Sequence, residues 1–345
     1  MRGLRKYLSP FAPDQSGAVS VLYELGGLLA ICDAGGCTGN VCGFDEPRWT
    51  EKKSAVFSAG LRDMDAILGR DEKLVEKIAQ AVENLDVEFA AIIGTPVPAV
   101  IGTDYRALKK MLSERIDIPV LTMDTDGTRY YDSGEEKAYL ALFQTFATEK
   151  LPTRPGRIGV LGATPQDLSD LDAPEKLKAA YPDHEVICYG MGSGLEEVKK
   201  ASSAEINLVA APGALKAARY LKQTFGIPYE VGCPLALEFV PEEARCEKKR
   251  VLVVHQQVMA HSIREELLRR GAKSVTVASW FMMDPELTKE GDISLTEEDD
   301  FLELVSKGAY DMIIADSAME RMIPDFDGCF VPAAHFALSG KLVDA

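Results

Sequence analysis

Three of the seven cysteines, Cys32, Cys37 and Cys42, lie within eleven residues of one another. Thiolates are the usual ligands of iron–sulfur clusters and are common ligands of zinc. The five-residue spacing matches neither the paired cysteines of zinc ribbons nor the closely spaced cysteines of bacterial ferredoxins. Spacing alone therefore does not establish a metal site within one chain.

Glycines separate these cysteines, namely Gly35, Gly36 and Gly39. They predict a flexible and slim loop that could bring backbone N–H groups close to an inorganic sulfide. In the alternative interpretation, Cys32 is a buried residue at the end of a strand and Cys42 packs near Phe44 and Trp49. Both interpretations stay open at the level of the sequence.

Composition and charge exclude several classes of protein. A net charge of −16 argues against binding to nucleic acid, because such proteins usually carry a basic face. No apolar run reaches the ~18 to 20 residues that a membrane span needs. The N-terminal residues carry positive charge without an apolar segment, which predicts a cytoplasmic protein whose cysteines are thiols or ligands.

The same pattern repeats along the 345 residues: an apolar strand, a turn rich in small residues, and a charged amphipathic helix. This pattern predicts an α/β protein built from three Rossmann-like domains, each with a parallel sheet flanked by helices. The predicted domains span residues 1–153, 154–240 and 241–345. Within the first, apolar residues at spacing four predict a helix around Asp71–Asn84.

Polar side chains at the carboxyl ends of predicted strands are further candidates for a ligand-binding site, because open parallel sheets bind ligands at that edge. Thr164 should cap a helix, His255 should end a strand, and His261 should begin the next helix as a possible cavity residue. The spacing of the two histidines does not favour a zinc site. A solvated turn is predicted for an acidic and aromatic group of residues: Asp124, Asp126, Tyr130, Tyr131 and Asp132.

Taken in order, several segments resemble the nitrogenase component 1 family, which includes the nitrogenase subunits, a cofactor-assembly scaffold and tetrapyrrole reductases. The cysteine segment Asp33–Cys37 is similar to the family's early cluster loop. The other similar segments are Phe57–Gly69, Ile93–Asp104, Pro119–Gly127, Ala204–Val209, Gly226–Tyr229, Tyr310–Ser317 and Ala334–Gly340.

The resemblance implies an iron–sulfur site in which only Cys37 keeps its family position. The family's first cluster cysteine falls near Ser9 in this chain, and the third corresponds to Pro96. The family places its cluster across a two-fold interface, which implies a [4Fe–4S] cluster bridging two subunits. Cys37 with Cys42, or with Cys32, from each of two chains would supply four thiolates.

In nitrogenase a cysteine and a histidine hold the large catalytic cofactor, and they correspond here to Ala211 and His335. The missing cysteine argues against that cofactor and leaves His335 as a proton donor near a substrate. The resemblance implies a reductase subunit, as a homodimer or with a paralogous chain, that reduces a small molecule. Because no P-loop occurs, electrons would come from a separate ATP-dependent iron protein.

Two alternatives remain. The chain could be a scaffold or carrier that binds a metallocluster or a tetrapyrrole without chemistry. It could also be a periplasmic-type binding protein, whose hinged α/β domains follow the same pattern, although the sequence shows no signal segment.

Overall fold

The computed structural model describes residues 5–52, 54–62, 64–65, 69 and 71–343. It contains three separate sheets, and every strand pairing in them is parallel. The predicted α/β fold with three parallel sheets is therefore confirmed. The predicted domain boundaries stay a prediction, although the strands of each sheet come from one of the three predicted ranges.

In each sheet, the strand that comes first along the chain occupies an interior position, with a neighbouring strand on each side. The first sheet contains β1 (Leu28–Ile31), β2 (Ala55–Ser58), β3 (Ala90–Ile93) and β4 (Val120–Met123), in the spatial order β2–β1–β3–β4. The second contains β5 (Arg157–Leu161), β6 (Glu185–Cys188), β7 (Ile206–Val209) and β8 (Tyr229–Val231), in the order β6–β5–β7–β8. The third contains β9 (Arg250–Val254), β10 (Ser274–Ser279), β11 (Asp292–Ser294), β12 (Met312–Ala315) and β13 (Cys329–Pro332), in the order β11–β10–β9–β12–β13.

The helices connect these strands. They are α1 (Asp14–Leu22), α2 (Gly36–Asn40), α3 (Asp71–Glu83), α4 (Pro96–Ile101), α5 (Tyr105–Ser113), α6 (Tyr131–Phe146), α7 (Pro165–Leu168), α8 (Ala173–Ala180), α9 (Leu195–Lys199), α10 (Leu215–Phe225), α11 (Glu243–Cys246), α12 (Gln257–Arg269), α13 (Glu298–Gly308), α14 (Ser317–Glu320) and α15 (Phe336–Ser339). The helix predicted around Asp71–Asn84 is confirmed as α3, and Thr164 caps α7 as predicted.

Sequence dictates which strands lie at the centre. The strands β1, β3 and β12 are continuous apolar runs that are buried on both faces, as expected when helices cover both sides of a parallel sheet. The edge strands β2 and β11 each have three or four residues and keep partly exposed side chains. In every sheet the first strand has neighbours on both sides, which opens a crevice at its carboxyl end.

The helix α6 joins the three sheets. It packs closely against α1, because Gly17 and Gly134 lie at the crossing. A Cβ atom at Gly134 would overlap the carbonyl oxygen of Asp14, and one at Gly17 would overlap that of Tyr131. Only glycine lets the two backbones come this close.

An N-terminal arm crosses to the third sheet. The Glu298 carboxylate, at the start of α13, accepts hydrogen bonds from the backbone N–H groups of Lys6, Tyr7 and Leu8. The following segment runs beside the C-terminal residues, where the Ala12 amide donates to the Ala337 carbonyl over 2.8 Å. Among the residues that the structure describes, no helix is long and apolar enough to span a bilayer.

Candidate functional site

The cysteine segment lies at the crevice of the first sheet. Cys32 directly follows β1, and Thr95 follows the neighbouring strand β3. The Thr95 hydroxyl donates to the Cys32 carbonyl over 2.7 Å, which ties the two strand ends together. In open parallel sheets, ligands bind where the crossovers from two adjacent strands diverge, and β1 and β3 form that position here.

Cys37 is carried by the short helix α2, and a π-helical turn (Val41–Asp45) carries Cys42. The predicted loop is therefore wrong in its local structure, since Gly36 and Gly39 are helical. The buried Asp33 carboxylate stabilises the helix by accepting hydrogen bonds from the Thr38 amide and hydroxyl. Sequence reasoning missed Asp33, which holds this segment against the sheet.

Gly35, Gly36 and Gly39 face open space. A Cβ atom added to any of them would meet no heavy atom of another element within 4 Å in the part of the chain that the structure describes. Of these glycines only Gly35, at φ 120°, has a backbone that requires glycine. Packing within the chain therefore does not explain Gly36 and Gly39, and the room beside Cys37 can accept an external group.

The three cysteines differ in their accessibility. Cys32 is buried in the core, where burial raises the pKa of its thiol to about 12. Cys37 and Cys42 are half-buried. Burial and the Asp33 carboxylate raise the pKa of Cys37, partly offset by a hydrogen bond with Thr95. Burial, with nearby carboxylates, also raises the pKa of Cys42.

These cysteines have the right chemistry for a metal site, but one chain supplies too few of them. Within the described part of the chain, no three His, Cys, Asp or Glu side chains lie close enough together to hold a metal ion. The accessible thiols Cys37 and Cys42 suit iron–sulfur ligation by their chemistry, whereas a four-iron cluster requires four ligands. Completion would need ligands from a second chain.

Exposed apolar side chains lie on the elements that carry and flank Cys37. Phe44, in the π-helical turn, is 74% exposed, and Val100, on α4 after β3, is 86% exposed. Val97 and Ile101, on the same short helix, are also exposed. Exposed apolar side chains beside the cysteine segment are compatible with a partner chain at this face.

Two adjoining clefts separate the cysteine segment from the C-terminal residues. One has a volume of about 590 Å³ and is lined by Phe11, Asn40, Phe44 and Phe336, among others. The other has a volume of about 470 Å³ and includes Cys42 in its lining. Phe44 and Phe336 border both clefts, which therefore lie between the first and third sheets.

The resemblance assigns the position of nitrogenase's cofactor-binding cysteine to Ala211. Ala211 is fully buried, and a Cβ atom added to Gly162 would lie 2.8 Å from the Ala211 Cβ. An alanine side chain has no donor atom for a metal. The residues present therefore do not fit the large catalytic cofactor of nitrogenase.

His335 is enclosed rather than open to solvent. Its ring is 1% exposed and stacks on His255, with 4.3 Å between the ring centroids. Burial, with His255 beside it, holds the pKa of His335 well below its usual range, so the ring is neutral. Nε2 lies 3.1 Å from the Tyr131 hydroxyl, whereas Nδ1 has no hydrogen-bond partner among the described residues.

His261 has a structural partner. It lies in the second turn of α12 rather than at its first residue, so the predicted helix start is wrong by one turn. Its Nε2 is 2.8 Å from the carboxylate of Asp292, which also pairs with Arg264. Burial lowers the pKa of His261 despite this carboxylate, and the contact fastens α12 to the edge strand β11.

A buried polar group that sequence reasoning missed lies between all three sheets. The Tyr131 hydroxyl donates to the Asp167 carboxylate over 2.8 Å, and Thr164 donates to Glu135 over 2.6 Å. Tyr131 and Asp132 are buried, so the predicted solvated turn is wrong for both. The Thr164 cap was the one sequence signal that pointed to this place.

Comparison with known proteins agrees with this architecture. A family model described as Nitrogenase component 1 type Oxidoreductase matches residues 16–240. Nitrogenase iron-molybdenum cofactor biosynthesis protein NifE from Bradyrhizobium diazoefficiens is 25% identical over 195 residues, which are 55% of this chain and 35% of that protein. The protein of that name from Clostridium pasteurianum is 27% identical over 176 residues, or 50% of this chain and 38% of that protein.

The chain thus spans little more than a third of the length of these curated relatives. Two solved structures share the fold. "Nitrogenase Cp1 at pH 6.5" has a TM-score of 0.74 at 11% identity and covers 96% of this chain and 87% of its own. "Nitrogenase Cp1 at pH 5" has a TM-score of 0.70 at 16% identity, covering 96% and 84%. The motifs, the fold and the match over residues 16–240 show that the chain belongs to the nitrogenase component 1 type oxidoreductase family.

Proposed function

We propose that this chain is the redox subunit of a nitrogenase-like reductase. It would pair with a second copy or a paralogous chain and hold a [4Fe–4S] cluster between them through Cys37 and Cys42 of each chain. Electrons would come from an ATP-dependent iron protein and pass to a small-molecule substrate. A cluster of this kind supplies one-electron storage when it is bound.

The open face around Cys37 carries this proposal. Gly36 and Gly39 leave space that no other described residue fills, beside a half-buried thiol at the crevice of the first sheet. Cys42 is the better second ligand, because Cys32 is buried in the core behind the strand. Two accessible thiols in each chain make four in a dimer, which is the number that the cluster needs.

The apolar surroundings support a partner chain at this face. Phe44 and Val100 would lose contact with water if a second chain covered them, which favours association by about 1.5 to 3 kcal/mol for each fully buried side chain. Burial would also exclude water from the shared site. The net charge of −16 is compatible with attraction of a partner that carries a basic face.

The clefts between the first and third sheets would receive the substrate. Phe44 belongs to the cysteine segment and lines both clefts, so a molecule bound there would lie next to the electron source. Phe11 and Phe336 give the larger cleft aromatic walls, which suit a largely apolar or planar molecule. His335, directly before Phe336, would supply the proton for reduction.

Anaerobic reconstitution with iron and sulfide tests the proposal. The wild-type chain should retain about four iron atoms per pair of chains and absorb visible light as iron–sulfur proteins do. Cys37→Ala should lose the iron, whereas Cys188→Ala, which removes a buried thiol of the second sheet, should keep it. A monomeric wild-type chain without iron, or full iron retention by Cys37→Ala, would contradict the proposal.

One observation favours a scaffold or carrier as a second candidate. Ala211 provides no donor atom for a metal, while the larger cleft is open and aromatic. The curated relatives named above are described as cofactor biosynthesis proteins, which supports this alternative. Turnover with an iron protein and ATP would identify a reductase, and tight binding of a metallocluster or tetrapyrrole without turnover would identify a carrier.

A further inference from the structure

Asp167, Tyr131 and His335 form a continuous hydrogen-bonded series in the centre of the molecule, and the Thr164 hydroxyl, within 3.5 Å of both Asp167 and Glu135, places the Glu135 carboxyl group beside it. All of these side chains are at most 1% exposed. Glu135 and Tyr131 come from α6, Asp167 comes from α7 of the second sheet, and His335 follows the last strand of the third sheet. Buried polar groups cost free energy unless they are paired, so their arrangement at this junction needs an explanation.

The carboxyl groups of Glu135 and Asp167 lie side by side, next to the Thr164 hydroxyl. Thr164 donates to Oε1 of Glu135, and Tyr131 donates to Oδ1 of Asp167. Oε2 of Glu135 receives no hydrogen bond from any described residue, and the Thr164 hydroxyl lies 2.6 Å from Glu135 Oε1 and 3.5 Å from Asp167 Oδ2, so the two carboxyl groups are neighbours. A protonated Glu135 that donates to an ionised Asp167 satisfies this geometry, because two adjacent buried carboxylates repel each other.

The hydrogen-bond directions also determine which ring nitrogen of His335 carries the proton. Because Tyr131 donates its hydrogen to Asp167, its oxygen must accept the hydrogen of His335 Nε2, 3.1 Å away. Nδ1 of His335 is then unprotonated and has no partner among the described residues. The stacked His255 is also neutral, since its Nδ1 accepts from the Gln256 amide and its Nε2 donates to the Ala334 carbonyl.

We propose that Glu135, Asp167, Tyr131 and His335 form a proton relay, in which Asp167 stores the transferable proton and Nδ1 of His335 exchanges it with the larger cleft through a water molecule. Its purpose rests on the proposed reductase function. In this relay His335 is the terminal group, and Glu135, Asp167 and Tyr131 are positioning residues that act through it.

Proton uptake by the relay (loading) and proton release from it (unloading) each transfer one proton. In loading, a proton binds to Nδ1 of His335 while the Nε2 proton passes to Tyr131, and the Tyr131 proton passes to Asp167. The ring changes tautomer and stays neutral, and the net charge of the four groups rises from −1 to 0. Unloading reverses each transfer, so no imidazolium ion forms at any stage.

The groups around the relay suit exchange near neutral pH. The titratable and charged groups facing it are Asp132, Tyr139, Cys233, His255 and Asp316. None of these is a cation at neutral pH, since burial lowers the pKa of His255 to about 4. Burial raises the pKa of Asp167 to about 7, although hydrogen bonds from Glu135 and Tyr131 favour its ionised form.

The relay lies beneath the larger cleft. Phe336, which lines that cleft, directly follows His335. Gln166 precedes Asp167 and donates to the carbonyl of Asp45, another residue of the lining. A water molecule at Nδ1 of His335 would complete the route between the cleft and the buried carboxyl pair.

Nitrogen-15 NMR on the full-length chain tests the relay. The chain has four histidines, and a His335→Gln variant identifies the signals of His335. In wild type the ring proton should lie on Nε2 at about pH 8.5 and on Nδ1 at about pH 5.5. Tyr131→Phe should abolish this change, whereas Tyr139→Phe, which removes a buried hydroxyl further along the same helix, should preserve it.

A His335 tautomer that is the same at both pH values in folded wild type would overturn the relay, and so would a wild-type response in Tyr131→Phe. If Tyr131→Phe fails to fold, Asp167→Asn serves the same purpose, because an amide cannot take up the proton. The measurement uses protein without iron. Failure of the relay is thus distinguishable from failure of the proposed function, which would appear as loss of iron binding.

Discussion

Replacing Asp167 with asparagine should change how the stability of the protein depends on pH. Burial raises the pKa of Asp167 from 3.8 to about 7 in the folded chain. Between these pH values the folded state keeps a proton that the unfolded chain has released. The folded state therefore binds more protons, and the free energy of unfolding falls as the pH rises.

Each pH unit over which the folded chain holds one extra proton lowers the free energy of unfolding by at most about 1.36 kcal/mol. The raised pKa values of Asp167 and Glu135 belong to one buried pair, so the pair together should lower the free energy of unfolding on the order of several kcal/mol as the pH rises from 4 to 7. Asp132 adds to the fall in both proteins, because burial raises its pKa to about 6. Asp167→Asn cannot ionise and also removes the carboxylate that raises the pKa of Glu135, so the free energy of unfolding of the variant should fall less steeply with pH than that of wild type.

Urea unfolding at a series of pH values, followed by tryptophan fluorescence, measures this difference. Trp280 is suited as a reporter, because its buried ring packs against Phe11 near the relay. Asp172→Asn, which changes an exposed carboxylate just before α8, is the matched control and should follow wild type. Parallel pH profiles for wild type and Asp167→Asn would refute the shared-proton reasoning.

Three further substitutions test the surfaces described above. Gly39→Ala should raise the thermal midpoint, since alanine favours α2 by about 1 kcal/mol and its methyl group would contact no other described element, yet it should reduce iron retention after reconstitution. Val100→Ser should weaken dimerisation by about tenfold in analytical ultracentrifugation, whereas Leu268→Ser, at an exposed site on α12, should leave it unchanged. Gly134→Ala should lower the free energy of unfolding by about 1 to 3 kcal/mol or more, because its Cβ would overlap the backbone of α1, while Gly194→Ala should have little effect.

The three parallel sheets could be predicted from the sequence because their central strands are continuous apolar runs. The edge strands β2 and β11 were not predicted. They are short, and several of their side chains are partly exposed, so they lack the apolar run that identifies a buried strand. Membership in the family also removes the periplasmic-type binding protein as an alternative.

The candidate site could be predicted only in part. The cysteines correctly indicated the position of the crevice. The glycines around them have low helix propensity, so the sequence predicted a loop where the structure has the helix α2. The helix α2 is stabilised by the Asp33 carboxylate, which accepts hydrogen bonds from the amide and the hydroxyl of Thr38. This contact depends on the folded arrangement of the segment and could not be predicted from the sequence. Glu135 is followed in the sequence by Glu136 and Lys137, a pattern that predicts a solvent-exposed face of a helix. Its side chain is nevertheless fully buried, so its place in the site could not be predicted.

The position of α6 also has a consequence for synthesis of the protein on the ribosome. Tyr131, at the start of α6, is enclosed by Phe281 and His335, which lie at least 150 residues later in the chain. The first two sheets can therefore form during translation, but the amino end of α6 stays uncovered until the third sheet has been made. A nascent chain would expose apolar surface there for most of its synthesis, which makes this region the expected binding site of a chaperone.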